Sequence, residues 1–225
     1  MLCLVTDRLR LAGRAATLVE ARRCLAQQTR FAVDAGVDLI QVRERDLEAA
    51  VLASIVRELL DITRGSVTRL VVNDRVDVAL ACGADGVHLR EDSFAASEIR
   101  RIAPAGFLVG RSVHSVDAAR AAGPVDYLIA GTVFPSASKD AGHVLLGLDG
   151  LRAVAASTRV PVLAIGGMTT AHFSDVAAAG GAGCAAIDLF MGPADAGADD
   201  TGRAVPLWRI VTRAHQKFDT VKTRP

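Results

Sequence analysis

The chain has 225 residues, 51% of them hydrophobic, enough to bury a substantial core in one domain or two. Its 26 basic and 25 acidic side chains nearly cancel, which argues against a nucleic-acid footprint or a polybasic membrane patch. Aromatic residues make up only 4%, which weakens any base-stacking or sugar-platform reading, and no apolar run is long enough to span a bilayer.

The chain opens on a strand-like segment almost at the initiator Met, so no signal peptide and a cytoplasmic location are expected. Cys3, Cys24, Cys82 and Cys184 form no CxxC pair or Cys/His cluster and read as reduced, partly buried thiols. A phrase then recurs. Ala35–Gln41, Cys82–Leu89 and Ala122–Ile129 are three copies, and Gly180–Ile187 is a weaker fourth. In each, a helix ends on glycine and a short apolar run follows, as expected of a strand buried on both faces.

Filling the gaps predicts eight strands: Leu2–Thr6, Leu39–Arg43, Arg69–Asn73, Gly86–Leu89, Phe107–Ser112, Tyr127–Gly131, Val162–Gly166 and Ala185–Asp188. Helical periodicity fills the intervals, for example over Leu47–Ile62 and Asp149–Ser157. Strict alternation predicts an α/β fold with a parallel sheet, and eight units predict a single (β/α)8 TIM barrel over residues 1–225. No GxGxxG follows the first strand, which argues against a dinucleotide-binding unit. The Gly-, Ala- and Asp-rich stretch 192–203 reads as a mobile loop, and Pro206 opens the last helix.

Barrels of this kind carry chemistry on the loops that follow the strands. Gln41, Arg43 and Arg45 end the second strand, Asn73 and Asp74 the third, Ser112 and His114 the fifth, and Lys139 lies in the loop after the sixth. Arg43, Asn73, Ser112 and Lys139 together would form an anion site at the barrel mouth. Gly166 and Gly167 follow a buried strand where this fold usually holds phosphate. His114 is the acid/base candidate. His88 reads as a satisfied core histidine, whereas His143 and His172 are expected to be exposed outside the cluster.

Seven segments occur in the order and spacing of one known family: Val5–Arg8, Gln41–Arg45, Asn73–Asp77, Gly86–Leu89, Gly110–His114, Gly131–Lys139 and Ala164–Gly167. From Leu4 to about Phe190 the chain resembles thiamin phosphate synthase and its relative TenI, the thiazole tautomerase. The resemblance implies a small phosphorylated heterocycle as ligand, with no nucleic acid and no membrane, and leaves a homo-oligomer open. Gln41, Arg43, Asn73, Ser112 and Lys139 would contact the pyrimidine or pyrophosphate of a synthase, with Arg45 and Gly131 beside them. Asp74 would hold magnesium. Gly167 and the backbone near Ile187 and Asp188 would hold the thiazole phosphate. In a tautomerase His114 would transfer the proton, and no cofactor would be needed.

The chain departs from the synthase pattern at several points. Arg45 stands where the second-strand motif has lysine. The fourth-strand loop is Leu89-Arg90-Glu91-Asp92-Ser93-Phe94 instead of Gly-Gln-x-Asp. Ser93 then takes the place of the second magnesium carboxylate unless a loop shift lets Asp92 serve. Asp188 replaces a phosphate-binding serine. At ~5 Å and an effective dielectric of ~20, its charge would repel each phosphate charge by about 3 kcal/mol. It must therefore point away, be neutralised, or signal a changed ligand. Arg-Glu-Arg in the second strand, Ser93-Phe94, the whole Gly110–Ser115 segment and Ile165-Gly166-Gly167-Met168-Thr169 lean toward a tautomerase. Asp74 and the Phe134–Lys139 loop lean toward a magnesium-dependent synthase, the alternative reading. A non-catalytic thiamin- or thiazole-phosphate-binding barrel is the third.

Overall fold

The computed structural model describes residues 1–136, 144–191, 196–198 and 204–219. Eight parallel strands close into a barrel in chain order. They are β1 (Leu2–Val5), β2 (Leu39–Val42), β3 (Arg69–Asn73), β4 (Gly86–Leu89), β5 (Leu108–Val113), β6 (Tyr127–Gly131), β7 (Val162–Ile165) and β8 (Gly183–Ala186). The barrel closes where Leu2 pairs with Cys184 and Cys3 with Ala185.

Helices cover the outside: α1 (Arg8–Ala12), α2 (Leu18–Ala35), α3 (Ala49–Thr63), α4 (Val76–Cys82), α5 (Ala96–Ile102), α6 (Val116–Arg120), α7 (Gly147–Ala156), α8 (Phe173–Ala178) and α9 (Leu207–Phe218). The longest, α2, starts on a capping box in which Thr17 and Glu20 satisfy each other's backbone N–H groups, a device worth about 1 kcal/mol. One large apolar cluster lies between strands and helices, and a smaller one, from Cys3 to Ala185, fills the barrel.

The repeated phrase has a further part. The aspartate before β2, β4 and β6 turns back to accept a backbone N–H at the start of a neighbouring strand. Asp38 takes Leu2 N at 2.7 Å, Asp85 takes Leu70 N at 2.8 Å, and Asp126 takes Val109 N at 2.6 Å. These carboxylates tie adjacent strands together at the N-terminal end of the barrel.

The expected strand ends differ by one residue at β1, β2, β5 and β7, and by two at β8. β8 spans Gly183–Ala186, so Ile187 and Asp188 lie past the strand, where Asp188–Phe190 forms a 3-10 turn. Pairing begins at Gly183 because only glycine fits there: a Cβ would lie 1.7 Å from the Met1 carbonyl oxygen. Within 192–203, read as loop, Ala196–Ala198 forms a short strand, β9, paired antiparallel with β10 (Ala204–Pro206). The remainder of that stretch lies outside the described residues. All four cysteines are free, and burial pushes the Cys184 thiol up to about 12. Among the described residues no helix is long and apolar enough to cross a membrane.

Candidate active site at the C-terminal mouth of the barrel

Inward residues alternate with helix-facing ones along each strand. Continuing from the interior cluster of Leu39, Val71, Tyr127 and Leu163, the alternation brings Gln41, Arg43, Asn73, Ser112 and His114 toward the mouth. Gly131, Gly167 and Ile187 follow by the same register. Gln41 donates from Nε2 to Asn73 Oδ1 at 2.8 Å, and both side chains are buried. This contact fixes two of the expected ligand-binding amides against each other.

Ser112 belongs to a second set. His88 Nε2 lies 2.9 Å from Ser112 Oγ and its Nδ1 3.2 Å from Tyr127 Oη. Burial, with help from Arg111, pushes the His88 pKa down to about 3, and burial drives that of Tyr127 upward, so both are neutral. The arrangement that uses every buried proton has Tyr127 donating to His88 Nδ1 and His88 Nε2–H donating to Ser112. The Ser112 hydroxyl proton is then free to point at a ligand. The chain's one tyrosine fits only because residue 110 is glycine: a Cβ there would lie 2.1 Å from the Tyr127 ring.

Arg43 is half-buried, and its guanidinium makes no hydrogen bond or ion pair among the described residues. Burial, then the like charge of Arg45, pushes its pKa down, which marks two cations converging. A buried network below holds the backbone in place. Arg43 N donates to Thr6 Oγ1 at 3.0 Å, and Thr6 donates to Glu44 Oε1 at 2.7 Å. Glu44 also receives Arg8 N and, at 3.0 Å, Arg8 Nη1, while Arg8 forks onto Asp46 at 2.6 and 2.5 Å.

Asp74 takes a left-handed backbone, φ 57°, which Asp tolerates better than most residues. Its carboxylate accepts from Ser93 Oγ and lies 3.1 Å from Arg90 Nε. The same Arg90 nitrogen is 3.1 Å from Asp92. Arg90 thus faces the carboxylates of both Asp74 and Asp92, and Ser93 serves as a donor to the first. Among the described residues no set of three or more His, Cys, Asp or Glu side chains gathers for a metal. Two carboxylates nevertheless suit a magnesium ion completed by water and substrate phosphate.

His114 is exposed, with Nδ1 against the Gly131 carbonyl oxygen, which can only accept. Nδ1 therefore carries the proton, and Nε2 lies 4.0 Å from Glu91. Glu91 also accepts His114 N at 2.9 Å. Buried Arg111 donates to the Glu91 carbonyl at 3.1 Å and to that of Phe94, and so shapes the whole loop after β4.

Gly166 and Gly167 have φ of 101° and 57°, and both are partly accessible. A Cβ on Gly167 would lie 2.2 Å from Pro135 O, and Phe134 N donates to Gly166 O at 3.2 Å. The loop leaving β6 thus lies directly on the turn after β7. His172, expected to be exposed, is instead partly buried, because Phe134 stacks on it at 3.8 Å. Asp188 is neutralised by Arg10, which answers the charge problem posed by its position. Lys139 and His143 lie outside the described residues.

Sequence reasoning missed Glu44, Arg8, Arg90, Arg111 and Tyr127, all of which act on other residues of the mouth. The signal for Tyr127 was present as an aromatic side chain opposite Gly110. The partners of Glu44 and Arg111 come from segments that follow other strands and leave no local pattern.

Comparison with known proteins gives the family. The family model described as Thiamine monophosphate synthase matches residues 3–190. The thiamine-phosphate synthase of Methanoregula boonei is 41% identical over 175 residues, covering 77% of this chain and 81% of the relative. That of Methanoculleus marisnigri is 42% identical over 168 residues, covering 74% and 80%. The solved thiamine phosphate pyrophosphorylase from Pyrococcus furiosus superposes with a TM-score of 0.75 at 30% identity, over 98% of this chain and 96% of that one. The chain is therefore an enzyme of the thiamin phosphate synthase/TenI family.

Proposed function

We propose that the chain is a magnesium-dependent thiamin phosphate synthase, joining hydroxymethylpyrimidine pyrophosphate to thiazole phosphate with release of pyrophosphate. One observation carries this reading: Asp74 and Asp92 converge on a single cationic group at the mouth that also holds Gln41, Arg43, Asn73 and Ser112. A tautomerase needs no such carboxylate pair. The relatives at 41% and 42% identity, named as thiamine-phosphate synthases, favour the same reading over the tautomerase that the sequence motifs first suggested.

Asp74 and Asp92 would hold the magnesium ion, which supplies positive charge to the departing pyrophosphate. The residues of the chain do the rest. Gln41 and Asn73, already bonded to each other, present their remaining amide groups to the pyrimidine. Arg43 and Arg45 face the pyrophosphate and stabilise the charge that grows on it as the carbon–oxygen bond breaks. Ser112 donates its free proton to the same group. Gly167 and the backbone at Ile187 and Asp188 would seat the thiazole phosphate, whose ring nitrogen attacks the pyrimidine methylene carbon.

Mixing both substrates with magnesium tests this directly: thiamin phosphate and pyrophosphate should accumulate together, and absence of thiamin phosphate contradicts the reading. The accessible His114, held by Nδ1 against the Gly131 carbonyl at the end of β6, supports tautomerisation of a thiazole carboxylate phosphate as the second reading. Aromatisation of that tautomer by the native protein, lost in His114→Ala, with no condensation of the two synthase substrates, would establish it instead.

A further inference from the structure

We propose that Arg90 is a built-in cation that competes with the divalent metal for Asp74 and Asp92, so that the free protein holds its own counter-charge where the metal would bind. The proposal rests on the synthase reading for the identity of the metal and on the geometry for the competition. Arg90 Nε stands 3.1 Å from Asp74 Oδ2 and 3.1 Å from Asp92 Oδ1, and its Nη2 donates to Asp92 Oδ2 at 3.2 Å. A guanidinium placed so uses the same oxygens that a magnesium ion would need.

The loop is built to hold this contact. Ser93 Oγ accepts Arg90 N at 2.9 Å and donates to Asp74, so one hydroxyl ties the backbone of Arg90 to the carboxylate that its side chain engages. Arg111, from β5, pins the carbonyls of Glu91 and Phe94 on either side. Charge explains the effect. Two carboxylates and Arg90 sum to one negative charge, whereas the carboxylates alone present two to an incoming divalent ion. Once a pyrophosphate arrives with several negative charges, a displaced Arg90 has a new partner at the same mouth. The metal therefore binds the free protein weakly, and strong binding waits for substrate.

Manganese binding to the purified protein without substrate, read from the paramagnetic resonance of the free ion, tests this. Arg90→Gln should bind manganese about three- to tenfold more tightly than the native chain, the range expected for removing two partly exposed ion pairs. Arg90→Lys, which keeps the charge but not the fork, should fall between them. The gain should vanish in Arg90→Gln with Asp74→Asn. Circular dichroism establishes that each variant is folded. Unchanged or weaker manganese binding in folded Arg90→Gln overturns the proposal. Product formation is measured separately. Tighter manganese binding with no thiamin phosphate from the native enzyme sinks the synthase reading alone, and the reverse pattern sinks this inference alone.

Discussion

Arg10, in the first helix after β1, pairs with Asp188, just past the end of β8, across the seam where the barrel closes. The pair would let an acid stand beside the thiazole-phosphate seat proposed above. Both side chains are substantially exposed, 36% and 52%, so solvent and salt screen the contact. Arg10→Ala should expose the Asp188 charge and weaken binding of thiazole phosphate about three- to tenfold, most strongly at low salt. Asp188→Ser in the same chain should restore it. Titration calorimetry with thiazole phosphate decides the matter, and equal affinity in Arg10→Ala and the native protein refutes it.

The neutral His88 makes the fold sensitive to acid. Its folded pKa, about 3, lies below the ordinary value of 6.5, so the unfolded chain binds more protons between these limits. Stability from this group is complete above about pH 6.5 and is lost as the pH falls toward 3. Thermal unfolding between pH 7 and 4 should show a steep decline in midpoint, part of which His88→Gln removes. Tyr127→Phe should leave that acid profile largely in place. It frees His88 Nδ1, lets the tautomer reverse, and turns the Ser112 proton away from the ligand. A fall in kcat about tenfold, one lost hydrogen bond to a charged group, should result with little change in KM. Unchanged kcat in Tyr127→Phe would remove Ser112 from the proposed donors.

Much of this molecule is legible along its chain because its signals are local. The bounds of β3, β4 and β6 follow from short apolar runs, and Gly36 and Gly83 adopt the left-handed caps that the repeated phrase requires, whereas α6 and α8 end on Ala121 and Ala179. The inward polar residues follow from strand alternation. What the chain does not display is pairing over distance. Asp188 was a charge without a partner until Arg10, 178 positions away, came to it. Arg90, after β4, finds Asp74 after β3, 16 positions away. The β8 boundary depended on a steric contact with Met1. Each joins residues of different strands or their loops, which no short window of sequence contains.

Glu44 illustrates a residue whose role is wholly of this kind. It is 5% exposed and accepts from Thr6, from the Arg8 backbone and from the Arg8 side chain. Glu44→Ala leaves the Thr6 hydroxyl and the Arg8 backbone N–H without their acceptor and Arg8 with Asp46 alone, and should cost about 3 kcal/mol. The unfolding midpoint should drop by roughly 6–12 °C for a chain of this size. Arg43 would also lose the anchor on its backbone, so KM for the pyrimidine pyrophosphate should rise in whatever fraction remains folded. A double variant, Arg8→Met with Glu44→Leu, should recover stability without recovering KM. Full recovery of both would show that the network supports the fold and does not aim Arg43.

The three aspartates at the opposite end of the barrel separate stability from function. Asp38, Asp85 and Asp126 each accept a backbone N–H from the strand beside them, and all lie at the N-terminal face, away from the mouth. Asp126 also takes Arg100 Nη2 at 2.6 Å, so its carboxylate has two donors. Asp126→Ala leaves Val109 N without its acceptor and should cost about 1–3 kcal/mol, the usual loss for a charge-assisted hydrogen bond. Asp126→Asn keeps an acceptor oxygen and should cost less. At temperatures where the variants remain folded, kcat and KM should match those of the native enzyme, because nothing in the contact reaches the loops that follow the strands. A lowered unfolding midpoint with unchanged kinetics fits this division of the barrel. A selective loss of kcat in a stably folded Asp126→Ala would mean that the two ends are coupled through β5 and β6, and the separation argued from the fold would fail.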